Sequence, residues 1–242
     1  MGLPKDPSLN IYFIIMATYT WTPPGPGAGN WGTTTNWTPN GTPTNVDTVL
    51  FSSANNVNCI VAANANAQSV NFQNYAGTIT INTNTGTVPA SAYNLTVAGN
   101  VTLSTSGSFQ INSDANGLGT LSISANSVIT SNGRTINCIF SLSTINTTIQ
   151  LADAMVLSRA FTAYGTPAGF IALSSNVPGT RRSLTLLNNG TSYQYVDYLN
   201  VTDIDSSAAC TLWTYKGNAP SNSLNWFVMT TQPPPVSSIS LS

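Results

Sequence analysis

Histidine and glutamate are missing from the 242 residues, Lys and Arg together number 6, and all 7 acidic residues are aspartate. Charged residues make up 5% of the chain, against about 25% in an ordinary soluble domain. Without histidine there is no Ser-His-Asp or Cys-His nucleophile system and no His-ligated zinc or iron. Without glutamate a paired-Glu glycosidase is excluded, although an Asp pair is not. A net charge of -1, with no basic cluster beyond Arg181-Arg182, leaves nucleic-acid binding no electrostatic footprint. No apolar run approaches the roughly 18 residues of a membrane span. The expected partners therefore include neither nucleic acid nor membrane, and no cofactor is expected.

Small neutral polars fill the space: 34 Thr, 29 Asn and 28 Ser. Their side chains compete for local backbone hydrogen bonds and disfavour helix, while Thr, Val, Ile and the aromatics favour pleated surfaces and Asn and Gly favour turns. Hydrophobic content of 41% is enough for a core. The composition reads as all-β with many turns. The seven Asn-x-Ser/Thr triplets, such as Asn94-Leu95-Thr96, are about the number this composition gives by chance and carry no argument for glycosylation.

From Val57 to Leu173 short apolar runs alternate with Asn/Gly/Ser/Thr turns. Examples are Cys59–Ala62, Ser69–Phe72, Thr78–Ile81, Thr120–Ile123 and Thr147–Leu151. Starts recur roughly every 8–12 residues, which fits a sandwich or jelly roll and also a right-handed β-solenoid. The solenoid is preferred. Runs of three to five residues suit single rungs, and Asn and Thr can stack between coils where like charges would repel. Cys59 and Cys138 share the pattern apolar-Asn-Cys-Ile and read as equivalent inward positions, buried hydrophobes rather than metal ligands or disulfide partners. Asn188-Asn189-Gly190, between two alternating runs, reads as a hairpin turn.

Four regions follow: an N-terminal extension (1–17), a solenoid-like body (18–180), a C-terminal β cap (181–230) and a Pro-rich tail (231–242). Residues 1–17 lack the long apolar core of a secretory signal. Their run Tyr12, Phe13, Ile14, Ile15 is too apolar to leave exposed and reads as an assembly arm. Tryptophans gather near both ends, where they would cap an open stack. Trp31, Trp37 and Trp213 are also candidate glycan or partner contacts, as aromatic faces suit sugars. Arg181 and Arg182 are candidate partner contacts, with a solvated loop as the simpler reading. Asp197, Asp203 and Asp205 could offer oxygen ligands to Ca²⁺, but turn-capping is the simpler account. A polysaccharide-lyase site would need a base among several acids, and none of the basic residues has such neighbours in sequence.

The closing stretch Val196-Asp197-Tyr198-Leu199-Asn200-Val201-Thr202-Asp203, with Trp213, Asn222 and Asn225-Trp226-Phe227, resembles the ending of many β-rich structural proteins of tailed phages and of related environmental viral sequences. The opening Trp31, Asn36-Trp37, Pro43, Asp47, Val49, Phe51 looks like the first coil of β-solenoid surface proteins, including autotransporter passengers. Together these motifs cover about 80 residues at the two ends. The resemblance implies a non-enzymatic structural component of a virion. Its expected post is the capsid exterior, as a decoration or cement protein that self-associates, as a trimer, and touches the major capsid protein or other virion proteins. A tail fibre, spike or carbohydrate-binding surface adhesin, in an extracellular setting, is the alternative. It carries over no catalytic residue.

Overall fold

The computed structural model describes residues 16–81, 94–97, 99–103, 110–113, 119–187, 195–207, 212–218 and 220–229. Tyr12, Phe13, Ile14 and Ile15 lie outside the described residues, as do Cys210 and the tail 231–242.

A rung of two to five residues cannot bury an apolar face by itself; neighbours must stack on it. In chain order the rungs begin with β1 (Thr18–Trp21), β2 (Gly29–Asn30), β3 (Trp37–Thr38), β4 (Thr48–Ser52), β5 (Cys59–Val61), β6 (Ala65–Ala67), β7 (Ser69–Gln73) and β8 (Thr78–Ile81). Next come β9 (Asn94–Val97), β10 (Val101–Thr102), β11 (Gln110–Ser113), β12 (Thr120–Ile123), β13 (Ser127–Thr130), β14 (Thr135–Asn137), β15 (Ile139–Leu142) and β16 (Thr147–Leu151). The last are β17 (Met155–Leu157), β18 (Phe161–Tyr164), β19 (Ile171–Ser175), β20 (Arg182–Leu186), β21 (Tyr195–Asp197), β22 (Leu199–Thr202), β23 (Ile204–Asp205), β24 (Leu212–Tyr215) and β25 (Trp226–Met229).

Nearly every strand pairs in parallel with the strand three places further along, giving three sheets. Face A runs from β1 through β4, β7 and so on to β22; face B from β2 to β23; face C from β6 to β24 and then β25. The chain therefore visits faces A, B and C in turn, one coil laid on the last. A sandwich would need mainly antiparallel ladders, and among the described strands only β1 and β3 pair that way. The result is the expected all-β, solenoid-like stack.

Alternation sends every second side chain inward, and the inward columns are apolar but for a few residues such as Ser175. Val49, Val70, Val101, Ile129, Leu151 and Ser175 form one column on face A, at sequence steps of 21, 31, 28, 22 and 24 residues. Cys59, Ile79, Ile111, Ile136, Leu157 and Leu186 form another on face B. Leu95, Leu121, Phe140 and Phe161 form a third on face C, with the two phenyl rings stacked at 6.2 Å. Cys138 is also buried and free, but it lies two places beyond Ile136, so it is not the equivalent of Cys59. Burial pushes both thiols up, that of Cys138 to about 12, which makes them inert fillers.

Outward columns are mostly neutral and bridge the coils. Asn137 donates to Asn112 Oδ1 at 2.9 Å, and Ser158 donates to Asn137 Oδ1 at 2.6 Å. Asn side chains also accept from backbone N–H groups one coil on: Asn58 from Thr78, Asn100 from Val128, Asn126 from Thr148 and Asn200 from Asn218, at 2.7–3.0 Å. These bonds satisfy backbone amides at or near the strand ends. An ionised side chain repeated at such spacing would meet its own sign about 4.8 Å away, the distance between strands.

Two readings change. Residues 188–190 lie outside the described residues, but the flanking strands settle the topology: β20 belongs to face B and β21 to face C, so they are not a hairpin. Nor does the stack break near residue 180, because β20 pairs with β17 on one side and β23 on the other. Body and C-terminal cap share one continuous core.

Candidate functional site

The candidate contact and ligand residues that are described lie either at the N-terminal end of the stack or along its last coils. At the N-terminal end Trp21, Trp31 and Trp37 surround Phe51, at 5.5, 6.1 and 5.7 Å between ring centroids. Phe72 and Tyr75 close the other side of Phe51 at 4.9 and 5.1 Å. Trp21 Nε1 donates to the Val57 carbonyl and Trp37 Nε1 to that of Trp31. A β-carbon on Gly29 would lie 2.7 Å from the Trp21 ring, so glycine is required by close approach there. Trp31 and Trp37 are 2% and 0% exposed; as glycan or partner contacts they are corrected to cap residues, because neither ring faces solvent. Trp213 stands on β24 in register with Tyr195 and Phe227, well away from that cap.

Arg181 does not simply point into solvent. Its Nε donates to the Asn222 carbonyl and its Nη2 to Asn222 Oδ1, both at 2.8 Å, which ties the start of β20 to the bend at Asn222. Arg182 Nη2 donates to Asn176 Oδ1 at 3.2 Å. Asp203, which is buried, accepts from the Gly179 amide at 2.8 Å and from the Asn222 side chain. Asp205 accepts from the amide and hydroxyl of Ser207. These are turn caps, and among the described residues no three potential ligands gather to hold a metal ion.

These contacts set the acid response. Hydrogen bonds from Asn222 and Gly179 hold the Asp203 carboxyl below its usual value of 3.8, and bonds from Ser207 do the same for Asp205. Burial alone would raise Asp47, but bonds from the Thr44 hydroxyl, the Ala17 amide and the Thr44 amide outweigh it and lower that carboxyl too. A carboxyl with a lowered folded-state value stabilises the fold above its unfolded value and loses that contribution as pH falls through the folded one. Thermal melts should therefore give a Tm that is flat from about pH 5 to 8 and falls only below about pH 4. A step in Tm near pH 6 would contradict the assignment.

One groove opens on face A, about 440 Å³ in volume and lined by Thr48, Gln68, Asn71, Asn100, Thr102 and Asn126 among others. Its lining side chains carry no charge and no nucleophile stronger than a hydroxyl, so it offers hydrogen bonds but no acid–base pair.

The sequence reading missed the outward cluster of Phe170, Tyr198, Tyr215 and Lys216 at the corner where face C turns into face A. Tyr198 meets Phe170 at 5.8 Å and Tyr215 at 6.4 Å, edge to face in each case. Lys216 Nζ lies 4.9 Å from the Tyr215 ring centre and 5.9 Å from that of Tyr198. Only the coil register brings residues 170, 198 and 215 together. Comparison with known protein families, with curated proteins and with solved structures finds no match.

Proposed function

We propose that this chain is a non-enzymatic structural component of a phage particle, a decoration or cement protein on the capsid exterior that self-associates as a trimer. A tail fibre or spike is the second post. The observation that carries the reading is the asymmetry of the stack. An aromatic plug and the short antiparallel β3 finish one end, whereas face C ends among the described residues on β25, with Phe227 47% exposed. Apolar surface on a strand that pairs on one side only, among the described strands, is a natural assembly surface. Neutral ladders support the same reading, since contacts without charge keep their strength when salt changes. The resemblance of the closing stretch to tailed-phage structural proteins supplies the virion setting.

Two measurements test it together. Peptides of this chain should be found by mass spectrometry in purified, protease-washed particles from its source, and light scattering of the recombinant chain should give three times the chain mass. A monomer at every concentration, with no peptide in the particles, would overturn the proposal.

A further inference from the structure

Left-handed backbone recurs at the corners of the stack. It falls on residues that tolerate it: Asn74, Asn132, Asn146, Asp203, Asn222 and Asn225, with φ between 46° and 61°. Asn and Asp visit this region because a short polar side chain can bond locally, whereas larger side chains clash. Two residues break the pattern, Tyr198 at φ 48° and Lys216 at φ 53°. They stand one above the other. Asp197, Tyr215 and Met229 share a register column, and the next residue in each of the first two coils is Tyr198 and Lys216. The Tyr198 amide donates to the Tyr215 carbonyl at 2.9 Å and the Lys216 amide to that of Met229 at 3.0 Å.

One coil earlier the same corner is Gly165, whose amide donates to the Asp197 carbonyl. A β-carbon there would lie 2.7 Å from Tyr198 Cβ, so the missing side chain makes room for the tyrosine. Local rules broken in adjacent positions, with a neighbour cut back to fit them, mark strain kept for a purpose other than folding. The residues gained are two phenol rings and Lys216, the single lysine among the described residues. Phe170 backs Tyr198, and Tyr164, half exposed, lies one coil earlier in the register column of Asp197 and Tyr215.

We propose that this corner binds a saccharide carrying an anionic group, its pyranose ring against Tyr198 and Tyr215 and its carboxylate or sulfate on Lys216. Aromatic rings with hydroxyl tips present an apolar body and a polar edge together, as a sugar does. An exposed ammonium held beside them supplies complementary charge on a chain that otherwise offers little. A protein partner would need about 800 Å² of surface, more than this angular ledge of a few side chains provides. The site is independent of the virion post proposed above: either can fail without the other.

The test uses the full chain on an array of uronate-, sialate- and sulfate-bearing oligosaccharides beside their neutral analogues. The best binder is then followed by titration calorimetry. The variants are Lys216→Asn and Tyr198→Asn, which place at each corner the residue that left-handed backbone favours. The expected result is binding to at least one anionic class, weakened tenfold or more in each variant and weakened by added salt, with the Tm of Lys216→Asn not lowered. No binding to any anionic glycan, preference for the neutral analogues, or affinity unchanged in Lys216→Asn would overturn the proposal. So would a change of oligomeric state in that variant, which would make the corner an interface between copies.

Discussion

Replacing Phe51 with alanine lowers the unfolding free energy by about 3–5 kcal/mol, the range found when a buried phenyl group is removed and its cavity does not close. The setting argues for the upper half of that range. Phe51 is fully buried and stands between the three tryptophan rings on one side and Phe72 and Tyr75 on the other. Five large rings cannot all shift inward, because Trp21, Trp37 and Tyr75 are each held by a hydrogen bond to a backbone carbonyl. For a chain of this size, Tm should fall by roughly 10 °C or more. The exposed Val177→Ala is the control and should change stability by less than about 0.5 kcal/mol. Similar losses in the two variants would show that the ring cluster is not the plug that closes the stack.

Deleting a whole coil leaves a folded protein, and deleting half a coil does not. Residue 129 occupies the same column position as residue 151. Removing residues 129–150 therefore joins Val128 to Leu151 with face A unbroken. It brings β17 onto β11 and β18 onto β12, with Leu157 in the place of Ile136 and Phe161 in that of Phe140. Each coil contacts chiefly its neighbours, so a stack of this kind loses one unit's worth of stabilisation and keeps the rest. Removing residues 129–139 instead puts Phe140, a face C residue, into a face A position, and everything beyond it enters the stack on the wrong side. The expected outcome is a β-type circular dichroism spectrum with cooperative melting for the 22-residue deletion, and neither for the 11-residue one. Equal behaviour of the two variants would contradict the three-face register.

Several rungs could be read directly from residue types. Thr120–Ile123 and Thr147–Leu151 match β12 and β16 residue for residue, because both alternate apolar with Thr, Ser or Gln. Ala65–Ala67 could not be read, since Ala-Asn-Ala has no β preference and is a strand only because β9 lies beside it. Residues 135–139 form one unbroken run in the sequence, yet the run divides at Cys138 into β14 on face B and the start of β15 on face C. Two faces can share one apolar run when the corner between them is a single buried residue. The Asn-Asn-Gly hairpin failed for a related reason: turn chemistry reports that the chain bends, not which strand lies next to it.

The candidate sites divide in the same way. The tryptophans at the opening carried two readings, and burial decided for the cap. Asp203 and Asp205 proved to be the caps that their place among turn residues implied. Tyr198 and Lys216 gave no signal at all, since a left-handed corner can be read from Asn or Gly but not from a tyrosine or a lysine standing in for them.

The uneven coil steps on face A have one further implication. The coil from Leu151 to Ser175 is three residues longer than the one from Val49 to Val70, yet both hold their column, and the longer one carries exposed Thr166, Pro167 and Ala168 at a bend. Such bends are places where foreign segments can be grafted and displayed while the scaffold carrying them keeps its shape. A lineage built on this architecture can therefore remodel what it shows to its surroundings by insertion alone, at almost no expense to the part that folds.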